Sequence, residues 1–241
     1  MIILDELTCV LASGRLRTTI LQDVSVVLPT DTHLVVLAQS GAGKSTLLRL
    51  FSGAVLPTAG TITRYARVSY PIGYTGGFKR SLTALENIAH AARVYGADVD
   101  EVVTFVAEVT EMGHALDEVY GDLPSQLSRR MAYAVSYAIP FDVYLIDDRV
   151  AAGDPEFRTR CEYMFEQRTK QSGFILTTSN SRYAKKYGKK AAILHDGAMV
   201  LYDDFEKALR DFDRLEKRKL SIQPRSMEIA GVDGMADGDD D

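Results

Sequence analysis

The chain has 241 residues, 46% of them hydrophobic and 25% charged, enough apolar material for one large domain or two small ones. Its net charge of -5 argues against nucleic acid as the main partner, since phosphate backbones recruit basic surfaces. The two cysteines, Cys9 and Cys161, have no metal-ligand spacing, the opening residues Met-Ile-Ile-Leu-Asp-Glu do not read as the basic start of a secretory signal, and no apolar run reaches the roughly 18 to 20 residues that span a membrane. These features predict a reducing, cytoplasmic setting in which another chain would supply any membrane span.

Residues 2–28 alternate in a strand-like way and end at Pro29 and the turn residues Thr30-Asp31-Thr32, so a small β unit comes first. Residues 34–51, LVVLAQSGAGKSTLLRLF, then read as a buried strand, a loop of small residues and a helix with Leu47, Leu48, Leu50 and Phe51 turned to a core. This is the pattern of a phosphate-binding loop, formed by Ala38, Gln39, Ser40, Gly41, Ala42, Gly43, Lys44, Ser45 and Thr46. Small residues let successive backbone N–H groups turn toward phosphate, the helix N-terminus adds positive potential, and Lys44 reaches the outer phosphates. The Ser45 hydroxyl is placed for Mg2+. Ala38 stands where the strict pattern has its first glycine.

Further on, strands are expected at 61–65 and 67–70, followed by the irregular, glycine-rich stretch 71–78. Thr83-Ala-Leu-Glu86 is a capping box that opens a helix carrying Leu85, Ile88, Ala89, Ala92 and Tyr95 on one face and stopping at Gly96. Helices at 99–112, ended by Gly113, and at about 125–139 complete a helical block over 80–140. Tyr133 and Tyr137, four apart, are expected to pack within it.

Residues 141–148, FDVYLIDD, form an apolar strand that delivers Asp147 and Asp148 to its C-terminal end, where ligands sit in parallel α/β sheets. A helix from Pro155 to about Lys170, a strand over 174–178 leading into Ser179-Asn180, a hairpin of 191–194 with 198–202 through Asp196-Gly197, and a helix over 203–217 follow. The polar and then acidic residues from 221 to 241 are expected to be a disordered tail. Lys185, Lys186, Lys189 and Lys190 read as a solvated surface cluster. His33, His90, His114 and His195 lack ligand spacing.

Taken together, Gly41 to Arg49, Tyr70 to Gly73 with Gly76-Gly77-Phe78, Ser81-Leu82-Thr83 with Glu86-Asn87, Arg93-Val94-Tyr95, and Ile146-Asp147-Asp148 with Gly153-Asp154 resemble the ATP-binding subunit of an ABC transporter. The likeness covers about residues 1–215 and is to the branch that exports capsular and related surface polysaccharides. It implies an α/β P-loop NTPase fold of the ABC type over residues 1–220: a RecA-like core, an antiparallel β unit and a helical lobe at about 80–140. It also implies an ATPase that uses ATP and Mg2+, with Ser45 and Asp147 as the metal positions. Two such chains would sandwich two ATP molecules against a transmembrane permease on the inner face of the cell membrane.

The resemblance also marks departures. Asp148 holds the place of the catalytic glutamate and is one methylene shorter, and Ser179 holds the place of the switch histidine. The signature falls on Leu123-Pro124-Ser125-Gln126-Leu127 or, in another register, on Leu127-Ser128-Arg129-Arg130; both lack its glycines. Leu11 aligns with the adenine-stacking aromatic, and Tyr74 or a neighbour with a glutamine. These changes leave three alternatives: slow turnover by an export ATPase, an ATP-binding module that dimerises with little or no turnover, or a nucleotide-sensing or assembly subunit with no export cycle. The loop at Gly76-Gly77-Phe78 is either a contact for the permease or plain surface.

Overall fold

In a computed structural model of the chain, residues 1–13 and 16–222 are described. Strands β1 (Ile2–Ser13), β2 (Leu16–Leu28) and β4 (Ala59–Arg64) form an antiparallel sheet in the order β2-β1-β4. A second sheet runs β5-β6-β7-β3-β8-β9, built from β3 (His33–Ala38), β5 (Val68–Pro71), β6 (Val143–Asp147), β7 (Gly173–Thr178), β8 (Lys190–His195) and β9 (Ala198–Tyr202). All neighbours in this sheet are parallel except β8 and β9, the hairpin read through Asp196-Gly197.

The continuous apolar runs of the central strands are explained by burial on both faces. Leu34, Val36, Val143, Leu145 and Ile175 pack with α1 (Lys44–Phe51) and the antiparallel sheet. Their alternates Val35, Leu37, Tyr144, Ile146 and Leu176 pack toward the opposite face, with the helices α2 (Ala84–Val94), α3 (Val99–Thr110), α4 (Ser125–Ala138) and α5 (Pro155–Thr169). One continuous apolar cluster therefore joins the helical block to the sheet.

The capping box forms as expected, with Glu86 N donating to Thr83 Oγ1 at 3.1 Å and Thr83 N to Glu86 Oε2 at 2.8 Å. The helix it opens buries Ala84 and Asn87 along with Ile88, Ala89 and Ala92, whereas Leu85 is only half-buried. Asn87 is tied inward, donating to Lys79 O and Thr83 O and accepting from Lys79 N, so the buried face keeps Ile88, Ala89 and Ala92 but takes in Asn87. Helix α3 stops at Glu111 in a left-handed turn, two residues before the expected Gly113, which instead begins a 3-10 turn, Gly113–Leu116.

A short helix, α6 (Ser181–Tyr187), was not apparent from the sequence. Seven residues are too few for a periodic pattern, although its cap, Asn180 accepting from Tyr183 N at 3.0 Å, was visible as a residue type. The last helix, α7 (Phe205–Ile222), runs past the expected end at 217. The acidic tail lies from residue 223 outside the described residues. Within the lysine cluster, Lys185 pairs with Glu206 at 2.8 Å and Lys186 with Glu162 at 3.6 Å. No helix among the described residues is long and apolar enough to cross a membrane.

Candidate functional site

Strand β3 ends at the buried Ala38 and hands the chain to an exposed loop, Ser40-Gly41, before α1 begins. Gly41 and Gly43 both lie in the left-handed region, at φ 82° and 92°, which is what turns the loop back onto the helix start. At Gly43 the need for glycine is also steric, since a Cβ there would fall 2.5 Å from Ile20 Cδ1 on β2. The antiparallel sheet thus buttresses the loop from behind.

The Lys44 ammonium reaches back over the loop, 3.4 Å from the carbonyl oxygens of both Ala38 and Gln39, at the long end of hydrogen bonding. Ser45 Oγ donates to Asp147 Oδ2 at the tip of β6, and Thr177 Oγ1 from the neighbouring strand lies 3.3 Å from Asp147 Oδ1. Lys44, Ser45, Thr46, Asp147 and Asp148 line one open cavity of about 610 Å³ with Ser40, Gly41 and Gly43. Asp148 is exposed and left-handed at φ 61°, a conformation that Asp tolerates better than most residues, and its N–H donates to Thr177 O at 2.9 Å.

The sequence-predicted residues do not all meet. Ala38 and Gln39 are buried beneath the loop and offer it carbonyl groups, and Ala42 closes a turn by donating to Gln39 O at 3.1 Å. Leu11 does reach the cavity, brought there by β1–β2 pairing. Ser179 does not line it; it borders an adjoining cavity of about 440 Å³, and Asp148 lies on the rim of both. Tyr74 faces another cavity altogether, with Phe78 and His90. Pro124 and Ser125 stand at the mouth of α4, with Ser128 at the end of its first turn and Arg129 just after it.

Sequence reasoning missed Thr18 and Ile20, which complete the first cavity. The register Leu11↔Thr18 would have found them, had the pairing of the two strands been worked out. It also missed how the segment after Asp148 is held. Val150 O accepts from the Tyr137 hydroxyl of α4, and Val150 N donates to the Tyr183 hydroxyl of α6 at 3.0 Å. Burial pushes both phenols up, so they stay protonated as neutral hydrogen-bonding groups. Further on, Asp154 caps α5 by accepting from Phe157 N at 3.0 Å and also pairs with Arg130 of α4. These hydrogen bonds hold its carboxyl well below the usual carboxylate range.

The residues present fit a nucleoside triphosphate with Mg2+: a glycine-turned loop, an ammonium over it, and a hydroxyl beside a carboxylate as hard oxygen donors. The sequence profile described as ABC transporter matches residues 21–151. The chain belongs to the ABC transporter family. Its relatives in this family include the capsule polysaccharide export ATP-binding protein CtrD of Neisseria meningitidis serogroup B, 36% identical over 82% of this chain and 91% of that protein. The ATP-binding protein BexA of Haemophilus influenzae is 35% identical over 83% and 92%. The polysialic acid transport ATP-binding protein KpsT of Escherichia coli is 32% identical over 89% and 99%. Among solved structures, an ATP-binding subunit of an ABC transporter superimposes with a TM-score of 0.69 at 20% identity, over 90% of this chain and 99% of that one. A dimeric post-hydrolysis cassette bound to ADP and Pi gives 0.66 at 17% identity, over 82% and 95%. The ABC-type fold expected from the sequence is therefore the one the family adopts.

Proposed function

We propose that this chain is the ATP-binding subunit of a transporter that powers export of capsular or related cell-surface polysaccharide. The observation that carries the nucleotide reading is the meeting of Ser45 and Asp147, 102 positions apart, at the mouth of α1 beneath Lys44. The substrate class is supported by the names of relatives at 32% to 36% identity over most of the chain.

In this reading Lys44 and the N–H groups of residues 40–46 hold the phosphates, and Ser45 and Asp147 hold Mg2+. The metal supplies charge neutralisation on the phosphates. Asp148, on the rim, orients the attacking water, and Ser179 donates to the outer phosphate once the two cavities that share Asp148 are closed over nucleotide. Because Asp148 is a methylene shorter than glutamate, its carboxylate sits roughly 1 Å back, a displacement that costs about 100-fold in rate, so turnover is slow.

Two copies pair around nucleotide, and the pair works against a transmembrane permease on the cytoplasmic face of the membrane. The permease contact is assigned to the cavity of about 370 Å³ lined by Tyr74, Phe78, Val94 and Tyr95. Residues 1–220 act as one cassette, with 221–241 as its tail. Titrating a fluorescent ATP analogue into wild type and Lys44→Ala tests the assignment. A loss of tenfold or more in affinity is expected, and equal affinity would defeat it.

A further inference from the structure

Asp148 sits in a turn that its neighbours must hold. Arg149 N donates to Asp147 O at 2.7 Å, closing a three-residue turn with Asp148 at its centre, at φ 61°. A residue at positive φ without glycine's freedom persists only where the surrounding contacts over-determine it. On one side the contact is with the adjacent strand, where Asp148 N donates to Thr177 O at 2.9 Å. On the other side it is through Val150, which is fully buried and has its two backbone groups taken by two different helices. The Val150 carbonyl accepts from the Tyr137 hydroxyl of α4, and its N–H donates to the Tyr183 hydroxyl of α6.

Both phenols are themselves fixed. Tyr137 is fully buried, its ring packs on Tyr144 with centroids 6.4 Å apart, and Arg168 of α5 donates to Tyr137 O and Ala138 O at 2.7 and 2.8 Å. The Tyr183 ring meets Tyr187 edge-on at 4.8 Å, and its backbone N–H donates to Asn180 Oδ1, on the residue after Ser179. Tyr183 also lines the cavity of about 440 Å³ that Asp148 and Ser179 border. Side chains locked at both ends in this way pass position on to what they hold.

We propose that Tyr137 and Tyr183 are positioning residues for ATP hydrolysis, which by clasping Val150 keep Asp148 in its left-handed turn and its carboxylate at the attacking water. The proposal rests on the reading that Asp148 orients that water. With either hydroxyl gone, a buried backbone group of Val150 loses its partner, the segment shifts to recover one, and the turn at Asp148 relaxes. A displacement of the carboxylate by about 1 Å is enough to slow the reaction by about 100-fold. Because α4 belongs to the helical block and α6 follows Ser179, the aim of Asp148 depends on both of these elements keeping their places.

The hypothesis is tested by phosphate release from Mg2+-ATP in single turnover by wild type, Tyr137→Phe, Tyr183→Phe and the double variant, which keep the rings and lose only hydroxyls. The rate constant at saturating ATP should fall fivefold or more in each single variant, with affinity for a fluorescent ATP analogue within twofold of wild type. The double variant should lose less than the product of the two single losses, since both act through one turn. Tyr144→Phe controls for stability alone: its hydroxyl is buried in the same core but bonded to Ile139 O at 3.1 Å and Phe141 N at 3.3 Å. It should lower the melting temperature and leave the rate unchanged. Thermal melts show which variants fold, and if one clasp variant does not, the other carries the test. Release at the wild-type rate from the clasp variants, a loss confined to affinity, or an equal loss in Tyr144→Phe overturns the proposal. Failure of the underlying reading looks different, since Asp148→Asn would then match wild type whatever the tyrosines do.

Discussion

Replacing Gly43 by alanine tests how the antiparallel sheet supports the phosphate loop. The new Cβ would sit 2.5 Å from Ile20 Cδ1 and 2.9 Å from Ile20 Cγ2, on a residue that is 2% exposed and lies at the wall of the phosphate cavity. Two costs add: about 1–2 kcal/mol for a Cβ in the left-handed region, and about 1–3 kcal/mol for the clash with Ile20. Urea denaturation of Gly43→Ala should therefore show a loss of about 2–5 kcal/mol. Ile20→Val removes the nearest clashing atom, at its own cost of about 0.5–1.5 kcal/mol. Combined with Gly43→Ala it should recover part of the overpacking, leaving the double variant about 1 kcal/mol more stable than the sum of the singles predicts. Strict additivity, or a Gly43→Ala cost below about 1 kcal/mol, would show that β2 does not brace the loop.

At the strand tip, Asp148→Glu should raise Mg2+-dependent phosphate release in single turnover by tenfold or more, and Asp148→Asn should abolish it; no change in either variant removes Asp148 from the chemistry. Tyr137→Phe leaves the Val150 carbonyl without its buried donor and should cost about 1–2 kcal/mol in a urea melt, with a neutral result showing that the bond contributes nothing. The Asp154 carboxyl has a lowered native pKa, so its stabilisation is complete above the ordinary Asp pKa, about 4, and is lost as the pH falls from there toward the native value. Melts of wild type and Asp154→Asn from pH 7 to pH 3 should show a constant gap down to about pH 5 that begins to narrow below about pH 4; a gap that does not change with pH would refute the linkage.

The order of elements and the phosphate loop were legible because each rests on local rules. The glycines at positive φ, the apolar run of a doubly buried strand and the capping box at Thr83–Glu86 all act over a few residues. Other features were not local. Leu85 was expected inward, but α2 takes in Asn87, which bonds to Lys79 outside the helix. The chain around residues 181–187 offered a cap and no period, so α6 went unread.

The sequence by itself determined the shape of the loop that we propose grips phosphate, because a turn of small residues into a helix carries its conformational instructions in its own backbone. Only the tertiary structure decided what stands around them. Strand pairing brings Leu11, Thr18 and Ile20 to the loop, sheet order brings Asp147 to Ser45, and two tyrosines from separate helices clasp Val150. The gathering of Arg80, Arg129 and Arg149 at one cavity has the same origin. Those contacts join segments far apart along the chain, and packing of the whole core, rather than any local preference, selects among the possible pairings.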